Sequence, residues 1–391
     1  MWTSKNYRLL MAGQTVSVIG NQVTSFALLL VVFHVTGSSA AAGVISGLCV
    51  LSMVVFGLPI GQVVDRFSRL YILRLSAAVG IVGSLLCVWA TEVDFSVVLF
   101  CFAAVLLGVV SSAFGTAERA FLKEIVEPSL LAKAMAVNQG RYSVGVLVGP
   151  LLAGMLLSVS DQAPFWVDAV SFVWVLCCVM LIRPIAVQQK TGVEGERPLL
   201  RTAWEWLVRQ RQLCAIGWYS PLMNFSFAGI TTVSLLSLQY AAFDSLHLGL
   251  YQAAIGLAGI CGAYVAGKLV SKVAAGGMIV ASVVFFGFSL ALTLGGVWCV
   301  VVGMVLSGFV LPMFNSPCSG FFIKSVPHVL QGRCTALFST SAMVMMPIAH
   351  MLAGVLFESV GRVPAVGFFV VIFVLSSVCF VKIGQISTIR L

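Results

Sequence analysis

Apolar residues fall in long runs along this chain, separated by short segments that carry charges, glycine or proline. An α-helix needs roughly 20 mostly apolar residues to cross about 30 Å of hydrocarbon, and it satisfies its backbone polar groups internally. The pattern therefore predicts membrane helices rather than strands. We place twelve of them at residues 9–33, 42–63, 70–91, 96–117, 136–158, 164–183, 213–238, 247–270, 276–295, 298–322, 334–357 and 364–384.

The first apolar run follows Lys5 and Arg8, and secretory signal peptides begin in the same way, with basic residues before an apolar segment. It is longer than the apolar region of a signal, contains Gln14 and Asn21, and precedes eleven further runs. We therefore interpret it as a retained first helix.

Composition excludes a water-soluble globular protein. Hydrophobic residues make up 60% of the chain and charged residues 9%, with a mean hydropathy of +1.08, whereas soluble domains carry roughly 25% charged residues. The eleven cysteines lie in or at the ends of apolar runs without a C-x-x-C pair, so neither a metal site nor a disulfide framework is indicated.

The net charge of +9 is explained by membrane orientation rather than by a nucleic-acid partner. If both termini and the even-numbered loops are cytoplasmic, every lysine and arginine except Arg362 lies on or near that side. The opposite loops carry acids, namely Glu92, Asp94, Asp161, Asp244 and Glu358. This positive-inside pattern predicts a multi-pass inner-membrane protein with both termini in the cytoplasm.

A polar stretch in the middle of the chain divides it into residues 1–186, a cytoplasmic linker at 187–212, and residues 213–391. The second part of the linker predicts an amphipathic helix with Trp204 and Leu207 on one face and an i,i+4 pair of Glu205 and Arg209 on another. It fits an interfacial helix and a solvated linker helix equally well.

An internal repeat supports two equivalent halves. A shift of 206 residues aligns Gly61 with Gly267 and Arg66 with Lys272, and a shift of 200 aligns Lys133 with Arg333. Matches at a nearly constant offset, on the same type of loop, are typical of transporters built from parallel repeats.

The loop after the second run contains Gly61, Asp65, Arg66 and Arg69, and it resembles the G-x-x-x-D-R-x-x-R loop of the major facilitator superfamily. In that family the loop latches the cytoplasmic side, and the resemblance implies this role for the four residues. Gly61 would allow close helix approach, and Asp65 would accept hydrogen bonds from the start of a neighbouring helix. The alternative is an ordinary basic loop.

The fifth run resembles the G-x-x-x-G-P-x-x-x-G element of exporters in the same superfamily, with Gly145, Gly149, Pro150 and Gly154 at its defining positions. Small residues allow close helix packing, and the proline removes one backbone hydrogen bond and bends the helix. The family associates the element with antiport. Small-residue stripes are also common in membrane helices of other functions.

Residues 36–39, 118–138 and 168–172 add a resemblance to the drug- and siderophore-exporting branch, which includes macrolide efflux proteins and enterobactin exporters. This resemblance implies an all-α membrane protein with twelve transmembrane helices in two pseudo-symmetric six-helix bundles. It also implies alternating access to a small-molecule substrate, in a monomer within the lipid bilayer.

Polar residues inside membrane runs are candidates for function because they are costly to place there. Gln14 and Asn21 share a face of the first run, and Asn224 and Thr231 share a face of the seventh. Since these helices flank the central cavity of the fold, we assign the four residues to the substrate cavity. Hydrogen bonding between helices is the competing interpretation.

Asp168 is the clearest acid inside a run, which makes it a candidate for proton coupling. Alternatively, it stabilises the start of its own helix. Glu118 is the second candidate, although an ion pair with Arg119 or with another helix explains it equally well. Arg141 is either a buried cation or one that reaches to the surface.

The sequence contains no P-loop, metal-ligand cluster or nucleophile–base spacing, so an enzyme is not indicated and no cofactor is expected. A proton gradient remains as the energy source. We predict a proton-coupled exporter of a hydrophobic or amphipathic small molecule such as a drug, macrolide or siderophore. An importer of a small metabolite on the same fold is the alternative, and a membrane enzyme or receptor is a third.

Overall fold

The computed structural model describes residues 4–93, 96–183, 200–270, 272–384 and 386, and that part of the chain contains helices and no β-strand. Six long helices come first: α1 (Lys5–Thr36), α2 (Ser39–Arg66), α3 (Arg69–Ala90), α4 (Ser96–Ile125), α5 (Leu131–Leu157) and α6 (Ala163–Met180). They are followed by α7 (Leu200–Arg209), α8 (Arg211–Tyr240), α9 (Ser245–Leu269), α10 (Ala275–Leu292), α11 (Val297–Ser325), α12 (His328–Val344), α13 (Met346–Val360) and α14 (Arg362–Gly384).

The predicted all-α fold is confirmed, because the described residues contain twelve helical segments long and apolar enough to cross a membrane. The eleventh segment, His328–Val360, differs from the prediction of one continuous helix at 334–357. It consists of α12 and α13, which meet at Met345. Pro347 lies in the first turn of α13 and cannot donate a backbone hydrogen bond to the preceding turn.

The residues between α1 and α2 explain where the first helix ends and the second begins. Gly37 adopts a left-handed conformation (φ 68°) after α1, and its N–H donates to the carbonyl of Phe33 at 2.9 Å. Glycine pays no steric cost in this conformation, which makes it a common helix terminator. Ser38 then accepts a hydrogen bond from the N–H of Ala41 and caps the start of α2.

The chain forms two compact units, Met1–Gln189 with Leu238–Ala253, and Lys190–Ser237 with Ala254–Leu391. In the first unit α6 packs against both α1 and α3. At Gly80 of α3, an added Cβ would lie 2.6 Å from the ring of Phe172 on α6. In the second unit, Gly287 of α10 faces Phe373 of α14 in the same way, at 3.0 Å. Each unit thus repeats the same glycine-to-phenylalanine packing.

The short helix α7 lies within the predicted linker, of which residues 187–199 are outside the described residues. Its Ala203 and Leu207 are buried against residues of the second unit, including Leu330 and Cys334 of α12. The predicted pair of Glu205 with Arg209 is wrong. Glu205 instead accepts a hydrogen bond from Arg201 at 2.7 Å, one turn earlier on the exposed face.

Candidate functional site

Asp168 lies in the interior of the first unit, with only 1% of its surface exposed. The hydroxyl of Ser84 on α3 donates a hydrogen bond to its Oδ2 at 2.9 Å, and the hydroxyl of Ser171 lies 3.3 Å from its Oδ1. Thr24 of α1 faces the same carboxyl without a hydrogen bond of ordinary geometry. The sequence predicted an acid near the outer end of its helix, and the structure turns that acid towards α1 and α3.

Gly20 explains how α1 comes so close to this acid. A Cβ added at Gly20 would lie 2.6 Å from Oδ1 of Asp168. No lysine or arginine in the described part of the chain forms an ion pair with Asp168. The carboxyl is therefore held by neutral hydroxyl groups alone.

The second unit fills the equivalent position with an aromatic ring. The shift of 201 residues that relates Phe172 to Phe373 also relates Asp168 to Phe369. Phe369 is fully buried and packs against Gly229 of α8, as Asp168 packs against Gly20 of α1. An apolar side chain therefore satisfies the packing in one unit, and the acid of the other is not required by the architecture.

Glu118 and Arg141 form a buried ion pair between α4 and α5. Nη2 of Arg141 donates to Oε1 of Glu118 at 2.5 Å, and each side chain is 7% exposed. Arg141 also donates to the side chain of Asn138 one turn earlier. Of the roles that the sequence left open, Glu118 thus pairs with another helix, and Arg141 is a buried cation.

The four residues of the predicted latch lie at the junction of α2 and α3. Asp65 is exposed and makes no hydrogen bond or ion pair with any described residue. Arg66 is also exposed, whereas Nε of Arg69 lies 3.2 Å from Oε1 of Glu124 at the end of α4. An added Cβ at Gly61 would meet no atom of the described residues within 4 Å, so the close helix approach at this glycine stays a prediction.

The glycines of the fifth membrane helix, α5, lie in close contact with α1. A Cβ at Gly145 would lie 2.5 Å from the side chain of Val18, and one at Gly149 would lie 3.1 Å from the backbone of Gln22. Pro150 lies inside the helix. Further along, Gly154 faces Gly249 at the start of α9, with the built Cβ 3.1 Å from its Cα. Small residues at these positions permit backbone approach on both sides of α5.

The four polar residues assigned to a cavity take different positions. Gln14 is buried inside the first unit at 2% exposure, whereas Asn21 is partly exposed. In the second unit, Asn224 donates a hydrogen bond to the carbonyl of Ala342 on α12 at 3.0 Å. Thr231 donates to the carbonyl of Phe227 one turn earlier on α8 at 2.7 Å. Asn224 therefore joins two helices, as the competing interpretation expected.

The second unit contains a cavity of about 470 Å³ between α8, α11 and α12, which the sequence analysis did not identify. We call it the aromatic cavity because Phe314, Phe322 and Phe338 form part of its wall. Its polar groups are neutral and come from Ser220, Asn315, Ser319, Thr335 and Ser339. The segment F-N-S-P at 314–317 in the tenth predicted span could have indicated this cavity, because it places the amide of Asn315 inside an apolar helix.

Histidines and acids outside these clusters make local contacts. His350 is partly buried and shares a 2.7 Å hydrogen bond with Thr232. His34 pairs with Asp161 at 2.7 Å in the first unit. In the loop before α9, the backbone N–H and the ring of His247 hold the pKa of Asp244 below its usual range. The first of these contacts joins α13 to α8, and the other two lie at helix ends.

Two curated proteins are similar to this chain along most of its length. Macrolide efflux protein A of Streptococcus pyogenes is 23% identical over 371 residues, covering 92% of this chain and 91% of that protein. An uncharacterized MFS-type transporter of Bacillus subtilis, YceJ, is 24% identical over 90% of this chain and 89% of its own length.

Solved structures extend the comparison. A bacterial homologue of the iron transporter ferroportin superposes with a TM-score of 0.77 at 14% identity, covering 97% of this chain and 98% of that one. The nucleoside transporter NupG superposes with a TM-score of 0.75 at 14% identity, covering 96% and 98%. The sequence profile of the Major Facilitator Superfamily matches residues 10–349. With twelve membrane helices and this match, the chain belongs to the Major Facilitator Superfamily of membrane transporters.

Proposed function

We propose that this transporter exports a hydrophobic or amphipathic small molecule in exchange for protons. The observation that carries the proposal is the buried carboxyl of Asp168, which has neutral hydroxyl partners and no counter-ion among the described residues. A buried, unpaired acid is costly unless it can take up a proton. Phe369 fills the equivalent position in the second unit, so helix packing does not require an acid at this position. A role in proton transfer explains why Asp168 is an acid.

The aromatic cavity supports the substrate class. Its wall combines phenylalanine rings with hydroxyl and amide groups, and no charged side chain of the described residues lines it. Apolar walls with a few polar groups are typical of sites for drug-sized ligands. Sugar phosphates and dicarboxylates would leave charge without a partner there. The similarity to macrolide efflux protein A along nearly the whole chain supports the same class and the export direction.

The proposal also includes the oligomeric state, the orientation, the two bundles and the latch. The chain acts as a monomer in the inner membrane with cytoplasmic termini, and residues 1–186 and 213–391 form the two bundles that alternate access. The loop of Gly61, Asp65, Arg66 and Arg69 latches the cytoplasmic side when the substrate cavity faces outward. The exposed Asp65 supports this assignment, since a carboxylate free of partners is available to a helix that approaches it.

Uptake of radiolabelled erythromycin into everted membrane vesicles tests the proposal. The cytoplasmic side of an everted vesicle faces the medium, so export appears as uptake that depends on an acidic interior. We expect accumulation above that of vesicles without the transporter, and we expect nigericin to abolish this excess in potassium buffer. An importer, the alternative function on this fold, would instead deplete preloaded vesicles. Accumulation unaffected by loss of the pH gradient would contradict proton coupling.

The proposed orientation has its own test. In a variant without native cysteines, a cysteine replacing the exposed Glu92 should react with a membrane-impermeant maleimide in intact cells. A cysteine replacing Gln210, exposed between α7 and α8, should react only after permeabilisation. The opposite labelling pattern would overturn the orientation.

A further inference from the structure

A second cavity of the same unit lies on the other side of Phe338. It is a groove of about 260 Å³ between α7, α8 and α12, and we call it the apolar groove. Its walls include Trp204 and Val208 of α7, Gly217 and Trp218 of α8, and Val344 of α12. Trp204, Val208 and Trp218 are each more than half exposed, so the groove is open along this edge.

Leu213 and Phe338 border both the apolar groove and the aromatic cavity. The ring of Phe338 packs edge-on against Phe322 of the aromatic cavity, with ring centres 4.9 Å apart. On its other side the ring faces Gly217, where an added Cβ would lie 3.4 Å from its tip. Phe338 therefore separates the apolar groove from the aromatic cavity. Because Gly217 has no side chain, there is space next to the ring of Phe338.

The chemistry of the groove defines what can occupy it. Its one hydroxyl group, on Ser341, already donates to the carbonyl of Phe338 at 3.0 Å. A molecule from water would lose its hydrogen bonds there without replacement. Trp204 and Trp218 at the open edge are side chains that favour the headgroup level of a membrane. The arrangement fits the apolar part of an amphipathic molecule already dissolved in the adjoining leaflet.

The aromatic cavity beyond Phe338 supplies what the groove lacks. Asn315, Ser319 and Ser339 offer polar groups, and the phenylalanine rings can accept a single positive charge on their faces. The apolar groove is almost entirely apolar, whereas the aromatic cavity next to it has both apolar and polar groups. This change of polarity matches the two ends of an amphipathic molecule.

We propose that the substrate reaches the aromatic cavity from the adjoining membrane leaflet through the apolar groove, and that the side chain of Phe338 is the gate between them. The proposal rests on the proposed function, and with the proposed orientation the leaflet is the inner one. Rotation of one phenylalanine ring, rather than movement of a helix, opens the connection.

The test uses the cationic amphipath TMA-DPH with protein in phospholipid nanodiscs, and it measures energy transfer from tryptophan to the probe. In the Gly217→Leu variant the new side chain fills the space beside Phe338, so we expect binding to weaken roughly tenfold. The matched control is Gly277→Leu on α10, where an added Cβ meets no atom within 4 Å and binding should be unchanged. All these variants are made in a chain whose other six of the eight tryptophans are replaced by phenylalanine, so that the energy transfer comes from Trp204 and Trp218 and its saturable part reports binding.

Val208→Gln on the exposed edge is the second variant, since it places an amide in the groove without altering a buried contact. It should weaken binding in the same direction as Gly217→Leu. Unchanged binding in both variants would overturn the proposal. If binding responds as expected but the parent protein exports no probe, the proposed export function fails and the access route stands.

Discussion

The hydroxyl of Ser84 on α3 donates a 2.9 Å hydrogen bond to the carboxyl of Asp168 on α6, across the buried interior of the first unit. This bond connects two helices through the acid that we assign to proton coupling. Ser84→Ala removes the donor and leaves the acid with weaker partners. We expect a loss of about 1 kcal/mol in stability. Thermal unfolding of the purified protein in detergent measures it, and an unchanged midpoint would show that the bond contributes nothing.

Gly20 and Gly61 provide a matched pair of alanine substitutions. Gly20→Ala places a methyl group 2.6 Å from Oδ1 of Asp168, so α1 and α6 must separate or the acid must move. Overpacking of this kind costs roughly 1–3 kcal/mol. Gly61→Ala introduces no contact within 4 Å in this structure and replaces a glycine inside a helix, so the thermal midpoint should stay the same or rise. Equal effects of both substitutions would contradict the packing described for α1 and α6.

The ion pair of Glu118 and Arg141 predicts strong non-additivity. Glu118→Gln leaves the guanidinium of Arg141 buried without its carboxylate partner, which costs roughly 3–5 kcal/mol. Replacing both residues, as in Glu118→Gln with Arg141→Met, should restore part of the stability because no unpaired charge remains. The comparison of the two variants in thermal unfolding is the measurement. A double variant less stable than Glu118→Gln would argue against the pairing.

Asp65→Asn tests the latch. The substitution removes a negative charge that no described residue neutralises, and we expect slower transport with substrate binding preserved within a few-fold. Distance measurements between spin labels on the cytoplasmic face would show a smaller population of the closed state. Loss of binding with an unchanged distribution of distances would assign Asp65 a different role.

Much of the fold could be predicted from the sequence because a membrane helix has a minimum length and excludes charge. All twelve predicted spans correspond to helical segments, and their ends differ by up to eight residues, as at Ile125, where a span predicted to end at residue 117 ends. The break at Met345 was missed since one proline can either bend a helix or divide it. The partner of Glu205 was wrong because Arg201 and Arg209 are equally spaced from it along the helix.

The candidate site was less predictable, because contacts between helices depend on how they rotate and pack. The sequence identified Asp168 as an intramembrane acid, but not its hydrogen bond with Ser84, 84 residues away. It left open whether Glu118 pairs with Arg119 or with another helix. The aromatic cavity could not be predicted, because its phenylalanines belong to two helices and phenylalanine is common in any membrane helix.

Proton movement that accompanies substrate transport is the most direct test of proton-coupled export through Asp168. Erythromycin is added to everted vesicles with an acidic interior and no respiration, and a pH-sensitive dye reports the pH inside. Vesicles without the transporter give the pH change that passive entry of this weakly basic drug causes, and it is subtracted. With the parent protein we then expect substrate uptake to be accompanied by proton release, and in Asp168→Asn we expect substrate exchange to continue without proton release. Proton release by Asp168→Asn at the parental rate, or its absence in the parent, would contradict the account.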